Sequence, residues 1–334
     1  MTVSSPVAAA SEKGFESQMT EPDMAELEAR VSRTPVDDGK HDDRQLGVPP
    51  GTKRLPERLR VAGLPPGSEP RAAWLQLREV EGPRATMVDL YALVARPRDL
   101  EPYELSLEER MELWRWAAPV IWPGFEVTEG TARQGDSLAV HDYDPAWPGM
   151  YESWRARIAS ALGETARRIE HVGSTSVPGL AAKPRIDIQV SVVDLEAEDA
   201  YVAGLESLHL QLRSRDDLHR FFRPEPSLPR LTHVHVCSLG SEWEADHLLF
   251  RDYLRNHPEA RDSYAAWKRA VSRTWHDDGI GYTDAKSEII LDIMESARRA
   301  AGARRIGPTP EPCPEAPRPR SSRTSSAHPH APSP

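Results

Sequence analysis

The run His171-Val-Gly-Ser-Thr-Ser-Val-Pro-Gly-Leu-Ala-Ala-Lys-Pro-Arg-Ile-Asp-Ile-Gln-Val190 constrains the fold of this chain more than any other stretch. A Gly-Ser turn with hydroxyls behind it leads, through Pro-Gly and Lys-Pro, into an apolar strand with a single carboxylate, Asp187. Glycine lets a backbone come close to a phosphate, and successive amides and hydroxyls there can cradle an anion. An aspartate on the neighbouring strand is where such a cleft would hold magnesium. Gly173, Ser174, Thr175 and Ser176 are thus candidate phosphate contacts; the competing reading is a strand-to-helix connection whose hydroxyls cap a helix.

An unpaired carboxylate is costly to bury, so Asp187 is expected either at the strand's exposed end or against a cation. Period-two geometry puts Gln189 and Ser191 on its face and Asp194 on the other. Metal-dependent phosphoryl or nucleotidyl transfer usually gathers two or three carboxylates around magnesium, and here the second position is a neutral glutamine. Further on, His233-Val-His-Val-Cys237 alternates strictly, with both histidines and the cysteine on one face. Histidines two apart on a strand can share a transition metal, with His171 as the candidate fourth ligand. They can equally hydrogen-bond within a cleft. His247, Arg251 and Arg255 recur at four-residue spacing as a basic ridge able to reach a phosphate or to pair with Glu244 and Asp252. Lys286, read as first-turn in the last helix, opposes the helix dipole, which hints at a compensating anion. Lys183 and Arg185 add positive charge to the same mouth.

Strands with helices before and after them predict an α+β (α/β-like) fold, a mixed sheet covered by helices. Residues 1–56 read as a disordered acidic leader and 303–334 as a disordered Pro/Ser/Arg-rich tail, because neither buries enough apolar surface to offset ordering entropy. Between them, 57–136 reads as a small accessory region and 137–302 as the main domain. In the accessory region Ser106-Leu-Glu-Glu109 predicts a capping box and Pro119 a helix stop, while 86–94 is ambiguous between strand and helix. In the main domain, strands are expected at 138–142, 168–172, 186–193, 219–223 and 231–237. Helices are expected around 197–208, 244–256, 258–276 and from Thr283 onward. Two cysteines, Cys237 and Cys313, exclude a disulfide framework. No run approaches about eighteen consecutive apolar residues. No secretory leader is recognisable, and a reducing cytoplasm is the expected setting. The formal charge of −10 argues against non-specific nucleic-acid binding.

Four separated motifs make a resemblance specific. His171–Ile188, His233-Val-His-Val236, His247-Leu-Leu-Phe-Arg-Asp-Tyr-Leu-Arg-Asn-His-Pro258 and Tyr282-Thr-Asp-Ala-Lys-Ser-Glu288 follow the order of the GrpB family, and Tyr143-Asp-Pro-Ala-Trp-Pro148 resembles its start. The resemblance covers about 138–300. It implies a nucleotidyltransferase-like mixed sheet flanked by helices, with the Gly-Ser turn on a nucleoside triphosphate and strand carboxylates on magnesium. Position by position, Gly173, Ser174 and Asp187 match that pattern and Gln189 does not; His235 stands roughly where a third acid would be. The expected function is binding of a nucleotide or another phosphorylated small molecule, with magnesium-dependent nucleotidyl transfer. In that reading Asp187 and His235 hold metal, Asp187, His233 and His235 carry the chemistry, and Lys183, Arg251 and Lys286 neutralise charge. The rivals are a non-catalytic ligand-binding or interaction module, and a His-based metal hydrolase using His171, His233 and His235.

Overall fold

The computed structural model of the protein describes residues 49–128, 138–276 and 278–305. Most of the expected leader, the tail from 306 and the expected domain start at Ser137 lie outside these residues. Six strands form one mixed sheet in the order β1-β4-β5-β6-β3-β2: β1 Glu126–Val127, β2 Arg168–Val172, β3 Ile186–Val192, β4 Leu210–Arg215, β5 His219–Pro224 and β6 Thr232–Ser238. Only β3 and β6 run parallel; the other neighbours are antiparallel. The helices are α1 Pro50–Lys53, α2 Leu55–Val61, α3 Pro70–Glu81, α4 Met87–Ala95, α5 Leu107–Ile121, α6 Trp147–Leu162, α7 Val202–Glu206, α8 Glu242–Asn256, α9 Pro258–Thr274, α10 Gly279–Asp284 and α11 Ser287–Arg305. The expected mixed sheet flanked by helices is what the chain forms.

The two faces of the sheet have opposite chemistry because side chains alternate along each strand. Ile186, Ile188, Val190 and Val192 of β3 join Val234 and Val236 of β6 in a core sealed by Trp147, Met150, Trp154, Ile158 and Leu162 of α6. Asp187, Gln189 and Ser191 point the other way, in register with His233, His235 and Cys237. Helix α8 lies near this polar face, started by Ser241, whose hydroxyl accepts from the Glu244 amide at 3.2 Å.

Several local expectations change. The ambiguous 86–94 segment is helix α4, started by a capping box between Thr86 and Asp89. Pro119 does not stop α5, which runs to Ile121; Trp122 N donates to Ala118 O at 2.8 Å and closes the last turn despite the missing proline donor. The expected strand at 138–142 is reduced to one bridge, His141 with Ala182. The expected helix at 197–208 breaks into a 3₁₀ turn and five-residue α7, and strands β1 and β4 were not anticipated. The last helix begins at Ser287, not Thr283, so Lys286 precedes it.

The helices of 70–121 share one core with α9–α11. Trp74, Leu90, Tyr91 and Leu113 pack in a cluster with Tyr264, Val271, Trp275, Tyr282 and Ile293. Two polar contacts cross that core. Arg110 Nε donates to Asp278 Oδ2 at 2.7 Å, both side chains being buried, and Tyr91 OH donates to Asp284 Oδ2 at 3.1 Å. The block that precedes the sheet thereby braces the segment carrying Tyr282 and Lys286.

Candidate functional site

The Gly-Ser turn leaves β2 beside the start of β3, where Val172 pairs with Asp187. Gly173 has φ 68° and ψ −170°, a region essentially reserved for glycine. A Cβ there would sit 2.3 Å from Asp187 Oδ2. The glycine thus serves a close approach between turn and carboxylate. Behind it the hydroxyls turn inward. Ser176 Oγ donates to Gly173 O at 2.6 Å, and Thr175 Oγ1 donates to Arg185 O at 2.8 Å. Thr175 and Ser176 are buried, and their hydroxyls stabilise the turn itself. Ser174 lies close to the buried Tyr264 hydroxyl of α9.

Asp187, His233 and His235 converge. Each offers a donor atom, and these atoms lie within 4.8 Å of one another. Arg230 Nε donates to His233 Nε2 at 3.0 Å. His233 then carries its proton on Nδ1 and donates it to Asp187 Oδ1 at 3.1 Å. Burial opposes the charge on Asp187, but the hydrogen bond from His233, the nearby imidazoles and the Arg185 guanidinium outweigh it and hold the carboxyl at about 2. Burial likewise lowers both His233 and His235, keeping the imidazoles neutral and able to ligate. His235 is walled by aromatic groups: Phe221 at 5.1 Å, His219 at 5.7 Å and Trp243 at 5.6 Å between ring centroids. Its Nδ1 is buried without a hydrogen-bond partner among the described residues, as are both amide atoms of its register neighbour Gln189.

His171 is not part of this group. It pairs with Ile188 and so faces the opposite side of the sheet, where it stacks on Tyr151 at 4.7 Å and bonds Thr175 Oγ1 at 3.0 Å. Burial pushes it down to about 4. The one-residue parity of a strand therefore overturns it as a fourth ligand and as a member of a His-based hydrolase. Arg251 is also committed elsewhere. It donates to Glu170 Oε2 at 2.8 Å, Asp252 Oδ1 at 2.7 Å and His171 O at 3.1 Å. Arg255 donates to Ser176 O and clamps the turn. Cys237 shares the polar face but bonds toward Ser191, away from the triad.

Lys183 and Lys286 converge on one ring. Their ammonium nitrogens lie over Tyr282 at 3.4 and 4.5 Å from its centroid. Burial brings Lys286 down to about 8, with Asp187 resisting and Arg185 reinforcing the shift. The sequence reading missed Arg230, which stands in no motif and which the loop before β6 brings against His233.

The profile of the GrpB family, described as GrpB protein, matches residues 137–296. A UPF0157 protein of Halalkalibacterium halodurans is 42% identical over 178 residues, spanning 52% of this chain and 89% of the relative. The chain belongs to the GrpB family. A second UPF0157 relative, from Streptomyces coelicolor, is 42% identical across 50% of this chain and 87% of its own length. The crystal structure of conserved protein GrpB from Enterococcus faecalis is 30% identical with a TM-score of 0.45, covering 49% of this chain and 99% of that one. The GrpB match includes the Gly-Ser turn, the triad, Tyr282 and Lys286, and excludes the helices of 55–121. No helix among the described residues is long and apolar enough to cross a membrane.

Proposed function

We propose that the cleft binds a phosphorylated small molecule, nucleotides included, beside one divalent cation held by Asp187, His233 and His235. The observation that carries this reading is the convergence of those three donors, with the cationic side chains of Arg185 and Lys286 acting on Asp187 and Lys183 sharing the Tyr282 ring with Lys286. The orphaned Nδ1 of His235 and the compact spacing of the three donors fit a metal ion. One carboxylate with two imidazoles is a donor set that suits manganese, iron or zinc better than magnesium, which prefers oxygen.

His233 must change partners for this to happen. Its Nδ1 gives up the proton shared with Asp187, and its Nε2 then takes a proton, so Arg230 stops donating there. Asp187 is already ionised and Gly173 leaves its outer oxygen uncrowded by any side chain. Lys183 and Lys286 neutralise phosphate oxygens. The bound cation would supply polarisation of a phosphoryl oxygen or of a water. Gln189 is fully buried and neutral where magnesium-dependent nucleotidyl transfer would use a second carboxylate. That favours binding and phosphate-ester hydrolysis over nucleotidyl transfer.

Untagged protein is assayed for metal by mass spectrometry and titrated calorimetrically with nucleoside triphosphates, with and without manganese or magnesium. About one manganese or zinc per chain, lost in Asp187→Asn, and metal-strengthened nucleotide binding are expected. Absence of any nucleotide or pyrophosphate binding at millimolar concentration overturns the reading. Binding without turnover makes the chain a non-catalytic ligand module.

A further inference from the structure

Gln189 is fully buried, and both atoms of its amide lack a hydrogen-bond partner among the described residues. Burying a carboxamide unpaired is costly, and a methionine or leucine would fill a similar volume without that cost. The sheet around it shows on which side its amide can find a partner. Toward β2, Gln189 pairs with Glu170, whose carboxylate accepts from Arg251 Nη1 at 2.8 Å. Two residues on along β3, Ser191 donates to Glu244 Oε1 at 2.5 Å. The other two neighbours on this face are Asp187, two residues back, and His235, directly across on β6. Both belong to the group whose donor atoms lie within 4.8 Å of one another, and His235 Nδ1 is itself buried and unpartnered. Neighbouring strands stand about 4.8 Å apart and alternate residues of one strand about 7 Å apart, so a side chain of glutamine length reaches the space between those donors.

We propose that Gln189 is a fourth protein ligand of the cation site, placing its amide oxygen on the divalent ion held by Asp187, His233 and His235. The inference rests on the cation reading of the cleft and adds one donor to it. The ion supplies the partner that the amide oxygen lacks, and carboxamide oxygens are ordinary ligands of hard and intermediate divalent ions. Since neither amide atom is bonded within the described residues, the side chain can turn its oxygen toward the ion without breaking a hydrogen bond. A neutral fourth donor also leaves Asp187 as the one carboxylate on a divalent ion, so the loaded site keeps a positive charge toward an anionic ligand.

The test compares wild type with Gln189→Met, Gln189→Leu and Gln189→Glu by manganese and zinc calorimetry and by melting curves with and without metal. Asp187→Asn is the control for the site itself. The Met and Leu variants are expected to lose at least about tenfold in metal affinity and to melt above wild type without metal, because a buried unpaired amide has been removed. Glu keeps an oxygen donor at the same reach. It is expected to bind metal at least as tightly as wild type, to melt below wild type without metal because a second buried carboxylate stands beside Asp187, and to gain more stability from metal. Met and Leu variants that bind metal within about twofold of wild type overturn the inference. So does a Glu variant that binds metal no better than Met, since the amide then acts through packing alone. If Asp187→Asn abolishes binding while Gln189→Met does not, the three-donor reading stands and this inference alone falls. If wild type binds neither manganese nor zinc, the cation reading fails first and takes this inference with it. The Leu and Glu variants keep the test decisive if the Met variant does not fold.

Discussion

Gly173→Ala tests the link between backbone and site directly. At φ 68° and ψ −170° an alanine occupies a region that costs about 1–3 kcal/mol. Its methyl group would lie 2.3 Å from Asp187 Oδ2 and 2.9 Å from Asp187 Cβ. Something must shift, and the strand pairing of Val172 with Asp187 leaves the carboxylate as the movable part. Moving it breaks the hydrogen bond from His233, worth about 1.5–3 kcal/mol for a charged acceptor. The two contributions give a destabilisation of about 2.5–6 kcal/mol, read as a fall of at least about 5 °C in melting temperature. Manganese affinity should fall at least about tenfold, because the displaced carboxylate no longer meets the two imidazoles. Gly163→Ala is the control: its φ is also positive, at 51°, but a Cβ there meets nothing within 4 Å. It should show the backbone cost alone and bind manganese normally. Circular-dichroism melts and manganese calorimetry on both variants decide the matter. If Gly173→Ala behaves like Gly163→Ala in both assays, the close approach to Asp187 does not constrain the site.

Three further outcomes follow from the same geometry. Asp284 is pushed up to about 8, chiefly by burial, from an ordinary 3.8. The folded chain therefore keeps a proton that the unfolded chain releases, and stability falls as pH rises from about 4 to about 8, by up to about 1.4 kcal/mol per pH unit. Asp284→Asn should remove that slope and stabilise the protein at pH 8, checked by denaturant melts at pH 5 and 8; parallel profiles would contradict it. Arg110→Met leaves the buried Asp278 carboxylate unpaired and should cost about 3–5 kcal/mol in urea unfolding, a loss partly recovered by adding Asp278→Asn. Arg230→Leu frees His233 Nε2 to take the proton of a metal-bound imidazole, so calorimetry should record a gain of up to about tenfold in manganese affinity. A loss would mean that Arg230 supports the metal site instead of competing with it.

Much of the frame was legible in local patterns. The apolar run Ile186–Val192 with its lone carboxylate reads as a buried strand, and it is β3. His233-Val-His-Val places both histidines on one face, as β6 does. Ser106 and Glu109 form the capping box their spacing announced. What failed did so for identifiable reasons. Pro119 sits so near the end of α5 that it forfeits little helix. Strand β4 alternates apolar and polar residues only from Leu210 to Arg213 before Ser214 and Arg215 end the pattern, too short a run to betray it. Lys286 falls in a connection whose geometry depends on Tyr91 and Arg110 from far upstream.

The chemistry divides along the same line. The amino-acid sequence alone determined the family, the faces of each strand and the presence of Asp187, His233 and His235 on surfaces able to meet, because side-chain alternation and turn chemistry are local properties. Only the tertiary structure decided that β3 and β6 lie parallel with Asp187 opposite His233, that β2 turns His171 to the far side, and that Thr175 and Ser176 spend their hydroxyls inside the turn. Strand neighbours, register and burial arise from contacts between residues distant in the chain, and no local pattern of spacing records them.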